Sequence, residues 1–168
     1  LSAEALTYVR TTSDLVGLSD EVVFGRVQAV EVKLNASGQP VTCVQFAVAD
    51  AAFRGLSRGS VLYLEQLGGR VGDVITHVSD YPAWQEGEEC VLYLRWQAGE
   101  GRYTVTAGVR GKLEVVRQAQ TGQPVVLGVQ NAALDRVKTS ASGDAREGVA
   151  LDQYLDYVRK LAQDEEMR

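Results

Sequence analysis

The stretch EVVFGRVQAVEVKL, Glu21–Leu34, limits the fold more than any other part of the chain. Val22, Val23, Phe24, Val27, Val30 and Val32 fill it with β-branched and aromatic side chains, which are stiff in a helix and pack well on a pleated surface. Gly25 interrupts it. A glycine inside a strand marks a bulge or a tight bend. The segment therefore reads as a strand that curls from one side of a small barrel to the other.

Further strands follow at short intervals. In VTCVQFAVADAAF, Val44, Phe46 and Val48 share one face, and Cys43, Gln45 and Ala47 the other. In SVLYLEQLG, Val61, Tyr63 and Glu65 share one face, with Leu62, Leu64 and Leu67 near the other. Period-two alternation of this kind predicts a sheet with one face on the core. VITHVS adds a short strand, and CVLYLRWQA and RYTVTAG form a hairpin across GEG. GKLEVV and VVLGV continue the pattern, and KTSASGDAREG reads as an exposed loop, about 137–148.

Such spacing predicts a mostly β (α+β) chain: a small OB-like β-barrel of five to seven strands, its body over about 20–130, because closure removes exposed edges. A two-sheet sandwich is the competing layout. The 168 residues suit one domain, 1–168.

Helices are expected at both ends. Ser2 is a possible N-cap for a short helix over 3–12, which Thr11, Thr12 and Ser13 would break. In ALDQYLDYVRKLAQ, Leu151, Tyr154, Leu155, Val158 and Leu161 recur at i, i+3, i+4 and i+7. That stripe predicts an amphipathic helix over about 150–163, packed on the barrel or plugging one end.

Composition narrows the function classes. The net charge is −5, and the basic residues are scattered. A nucleic-acid binder concentrates Lys and Arg on one element, so no nucleic-acid partner is expected. No apolar run approaches the ~20 residues of a transmembrane helix, so no transmembrane segment is expected. The chain starts at Leu1 rather than Met, as a processed or trimmed product would. Cys43 and Cys90 each fall within a predicted strand. They read as small core side chains, with an inter-strand disulfide as the alternative in an exported protein.

The chemistry-bearing candidates are few. GGRVGD (Gly68, Gly69, Gly72) follows a strand, but a phosphate cradle also needs a helix start behind it. VITHVSDYP is β-branched and ends in proline, and no Gly-Lys-Ser/Thr is present. These three glycines are expected as a structural loop at a barrel corner. His77 is the one histidine, with no base or nucleophile partner at a usable spacing in an extended chain. Glu86, Glu88 and Glu89 flank a turn, where solvent keeps carboxylates ordinary. No catalytic set, metal ligand set or cofactor is expected.

Tyr81, Trp84, Trp96 and Tyr103 cluster around the loop after the glycines and the hairpin behind it. Aromatics at a barrel mouth either cap the core or stack on a ligand.

Four segments carry a resemblance: SDEVVFGRVQAVEVKL, TCVQFAVADAAFRG, LEQLGGRVGD and YPAWQEGEECVLYL. Together they resemble a group of secreted bacterial domains that order a helix, S-D-x-V-V-x-G-x-V, a strand ending near L-K-G, a G-G-x-x-G loop and G-E-E-x-V-L-F-L. Ser19, Asp20, Val22, Val23, Gly25 and Val27 match the first motif. Gly68, Gly69 and Gly72 match the loop, and Gly87 to Leu94 match the last except at Cys90. Arg54-Gly55 stands where Lys-Gly is usual. The resemblance implies a β-barrel and a secreted or periplasmic setting, and no activity.

The expected function is a non-enzymatic interaction or assembly module of an exported bacterial protein, binding a protein or other ligand at an aromatic-lined barrel end, with any protein partner in the cell envelope or outside the cell. Two alternatives stand: an envelope hydrolase, which requires His77 in a cleft beside a carboxylate, and an accessory or inhibitory domain of a secreted protease.

Overall fold

The structure is a computed structural model that describes residues 11–53, 56–130, 133–140 and 145–167. It is mostly β, with a short helix before the strands and a longer one after them. The elements are α1 (Thr12–Leu18), β1 (Glu21–Leu34), β2 (Pro40–Ala51), β3 (Val61–Leu67), β4 (Gly69–Val71), β5 (Val74–Thr76), β6 (Glu89–Gln97), β7 (Arg102–Val105), a 3₁₀ turn (Gly108–Gly111), β8 (Lys112–Arg117), β9 (Pro124–Leu127), β10 (Val137–Lys138), β11 (Glu147–Ala150) and α2 (Leu151–Glu166).

The predicted barrel does not close. Nine strands form one antiparallel sheet in the order β10-β11-β9-β8-β6-β1-β2-β3, with β7 also on β6; β4 and β5 form a separate hairpin. The reason lies in β6. One of its edges pairs β1 over Glu89–Leu94. The other is shared, with β8 on Glu89–Leu92 and β7 on Leu94–Gln97. Beyond that fork, β8, β9, β11 and β10 lead away as an extension. The strands β3-β2-β1-β6-β7 curl like a barrel wall, yet no ladder joins β3 to β7 among the described residues.

Both faces of β1 and β6 are therefore covered. Val22, Phe24, Val91 and Tyr93 point into a core completed by α1, α2 and the extension. Val23, Val27, Leu92 and Leu94 point into a second core, closed by Val44, Phe46, Val48, Leu62 and Leu64 of the curled wall. Two-sided burial explains the unbroken apolar runs Val22–Phe24 and Val91–Leu94, since only a half-buried strand must alternate.

Gly25 lies at a register shift in the β1–β2 ladder. A Cβ there would collide with the Ala47 carbonyl oxygen, so the close crossing of β1 and β2 requires a residue without a side chain.

The helix predicted over 3–12 lies almost wholly outside the described residues. Thr11 and its neighbours start a helix rather than end one. The Asp14 N–H donates to Thr11 Oγ1 (3.2 Å), and the Thr11 N–H donates to Asp14 Oδ2 (3.0 Å). Hydroxyl side chains favour this position because they satisfy the unpaired N–H groups of a first turn. The loop expected over 137–148 is likewise corrected at its ends, where Val137 pairs Gly148 and Lys138 pairs Glu147. The closing helix buries Leu151, Tyr154, Leu155 and Val158. The hydroxyls of Tyr154 and Tyr93 are hydrogen-bonded in the core. Cys43 and Cys90 are free.

Candidate ligand groove

The segment His77–Gly87 leaves the β4–β5 hairpin and crosses the mouth of the curled wall. It is clipped at its middle. Asp80 has φ 68 and Ala107 has φ 55, in the left-handed region that costs a non-glycine residue energy. The two meet because the Asp80 carbonyl accepts from the Val109 N–H at 2.7 Å. Gly108, between Ala107 and Val109, has no room for a Cβ against that same carbonyl. Strain of this kind persists only where the surroundings hold it, and here it aims the next residue, Tyr81, outward. Tyr81 is 45% exposed.

Trp84 is fixed more firmly. Its indole N–H donates to Gln66 Oε1 at 2.9 Å, and Gln66 Nε2 donates to the Pro82 carbonyl at 3.0 Å. Lys112 Nζ stands 5.3 Å from the Trp84 ring centroid and is ion-paired with Glu88 at 2.9 Å. The ring packs against the second core, and so caps it while still presenting one side outward.

Between this loop, β3 and β7 lies a groove of about 550 Å³, lined by Leu64, Gln66, Asp80, Tyr81, Trp84 and Arg102 among others. That volume falls in the range of ligand pockets, which mix apolar walls with a few placed polar groups. Arg102 on β7 reaches Glu65 on β3 at 3.1 Å and Glu100 at 2.8 Å. This pair bridges the seam where a barrel would have closed.

The four aromatics expected as one surface are divided. Tyr81 and Trp84 line the groove. Trp96 and Tyr103 face each other edge-on across β6 and β7, ring centroids 4.9 Å apart. Trp96 is 46% exposed, while Tyr103 packs on the second core. Neither lines the groove.

Gly68, Gly69 and Gly72 form the bend into the β4–β5 hairpin and its tip, with φ of 116, 130 and 58. A strand follows them, not a helix. His77 is exposed. Glu86 Oε1 accepts from the Val30 N–H at 3.2 Å, and Glu88 holds both the Gln85 N–H and Lys112. Glu89 takes Arg117 at 2.6 Å and Arg26 at 3.5 Å. The Arg117 hydrogen bond keeps its carboxyl below the ordinary range. These acids tie the turn to neighbouring strands. No group of three metal-ligating side chains occurs among the described residues, and none of their helices is long and apolar enough to cross a membrane.

Sequence reasoning missed Gln66, Asp80 and Arg102 as groove residues, and it missed Glu21. This last residue is 4% exposed, in phase with Val23 on the inner face of β1, and its Oε2 has no hydrogen-bond partner among the described residues. The phase was readable: Glu21, Val23 and Gly25 alternate in one strand.

A second hollow, about 700 Å³, lies between α1 and the end of α2, lined by Gly17, Asp20, Phe53, Arg159 and Glu165. It lacks the groove's combination of aromatic walls and a free sheet edge. No protein-family model, curated protein or solved structure gives a match to this chain.

Proposed function

We propose that the chain is a non-enzymatic binding module of an exported bacterial protein, and that its groove takes an extended peptide segment of a partner protein. One observation carries this reading. The groove runs along β3, which pairs only β2 and leaves its other edge without a ladder among the described residues. An extended segment laid there gains main-chain hydrogen bonds from the edge, while side-chain pockets supply specificity. Tyr81 and Trp84 offer flat apolar faces at the mouth. Gln66, Glu65 and Arg102 offer polar contacts below them. The exported setting is supported by the four-segment resemblance alone.

The test is a random heptapeptide display library panned on the immobilised protein. The expected result is a peptide family whose affinity falls about tenfold or more in Tyr81→Ala, the loss of one aromatic anchor, and is unchanged in Arg146→Ala, which alters an exposed ion pair away from the groove. Binders indifferent to Tyr81→Ala, or an empty panning, would overturn the reading.

A further inference from the structure

Glu21 is the odd residue of the second core. Its carboxyl shares a face with Val23 and Leu94, and Oε2 finds no hydrogen-bond partner among the described residues. A buried carboxylate without a partner is costly, so such a group keeps its proton instead. The groups around it make this worse, not better. Asp20 precedes it and adds negative charge. From β7 it meets Tyr103, an acid itself, and from β6 Leu94 and Trp96, which carry no charge. β2 ends opposite Val23, at Ala51. No cation among the described residues is paired with it.

The position matters because of what lies on it. Tyr103 packs edge-on to Trp96, and the main-chain N–H of Trp96 donates to Asp20 Oδ2 at 2.7 Å. Tyr103 stands on β7 between Arg102 and Thr104, both of which line the groove. Val105, on the Tyr103 face of the strand and opposite Leu94, lines the groove too, so the strand beside Glu21 is also the second wall of the groove.

We propose that Glu21 is a proton-dependent latch for β7: neutral, it lets Tyr103 and Trp96 close over it; ionised, it loosens that wall and changes the groove. The consequence for ligand affinity rests on the groove being the binding face; the latch itself does not. Burial first, and Asp20 second, push the Glu21 carboxyl up to about 7. The folded protein therefore gives up this proton to solvent near neutrality, where a free glutamate has long been ionised.

The experiment is an NMR titration of the whole chain from about pH 5 to about pH 8.5, a window spanning ordinary and raised carboxyls. It follows the Glu21 carboxyl carbon and the indole N–H of Trp96, one of two tryptophans. Both are expected to move with one midpoint near 7, and the Trp96 movement is expected to vanish in Glu21→Gln. A Glu21 carbon that titrates in the ordinary carboxylate range overturns the latch, and this readout needs no variant to fold. A Trp96 transition that persists in Glu21→Gln overturns it too. Affinity for a display-selected peptide, compared at both ends of the window, is expected to change about threefold or more in the wild type and not in Glu21→Gln. Unchanged affinity across a real Glu21 transition overturns the coupling. The groove reading then still stands or falls on Tyr81→Ala.

Discussion

The two faces of the β1–β6 pair are built from the same strands and end differently. On one, α1 and α2 lie over Val22, Phe24, Val91 and Tyr93, and the buried hydroxyls of Tyr93 and Tyr154 are matched to each other. On the other, the curled wall covers Val23, Leu92 and Leu94 but stops short of closure. It keeps an acid with one oxygen unpartnered among the described residues, a strained loop and an open groove. The first face is finished as a core. The second retains unspent polar groups and free strand edge, and function is expected where such costs persist.

Substitutions should separate the faces. Tyr154→Ala removes a fully buried ring from the helix-covered core. It should cost about 3–5 kcal/mol in denaturant melts, the usual loss for a large buried aromatic, and leave peptide specificity alone in whatever protein remains folded. A loss under about 1 kcal/mol would mean that α2 is loosely docked and that the contrast is false.

The next effect is pH-dependent. Glu21 keeps its proton in the folded chain up to about 7, while the unfolded chain loses it near 4.5. Between those values the folded state holds more protons, so stability falls as pH rises and levels off above the folded value. The loss amounts to about 3 kcal/mol at 1.36 kcal/mol per pH unit. Glu89 acts in the opposite sense: its lowered carboxyl contributes stability that disappears as pH falls below the ordinary carboxylate range. Thermal melts should therefore peak in mildly acidic buffer. Glu21→Gln should abolish only the decline on the neutral side; an unchanged decline would assign it elsewhere.

Gly108→Ala should cost about 1–3 kcal/mol, because a Cβ strikes the Asp80 carbonyl and φ is 58. It should also weaken peptide capture by displacing Tyr81. Destabilisation without any change in capture would separate the strained loop from binding. Tyr81→Ala, by contrast, should move stability by less than about 0.5 kcal/mol, as exposed substitutions do, while capture drops. The smallest effect belongs to Arg146→Ala: its pair with Glu114 is more than half exposed on both sides, and such pairs contribute little.

Much of the wall was readable in the chain. Val44, Phe46 and Val48 alternate as a one-sided strand must, Leu62 and Leu64 do the same, and the stripe on α2 names its own buried residues. Gly25 announced the crossing of β1 and β2. What the chain could not show locally was which edges pair. Closure depends on whether β7 or β8 takes the far edge of β6, and the 3₁₀ turn at Gly108–Gly111 divides that edge between them. The runs Val22–Phe24 and Val91–Leu94 did signal two covered faces, but alternation elsewhere masked it. The division of the aromatics had no local sign either. Trp84 and Trp96 are twelve positions apart, and only the fold sends one to the groove and the other to β7.

We place peptide binding on the unfinished face. Amide chemical-shift mapping of a display-selected heptapeptide tests it most directly. Perturbations are expected to concentrate on β3, β7 and residues 78–84, with α2 silent. Perturbations gathered on α1 and α2, with β3 and Tyr81 unmoved, would contradict it.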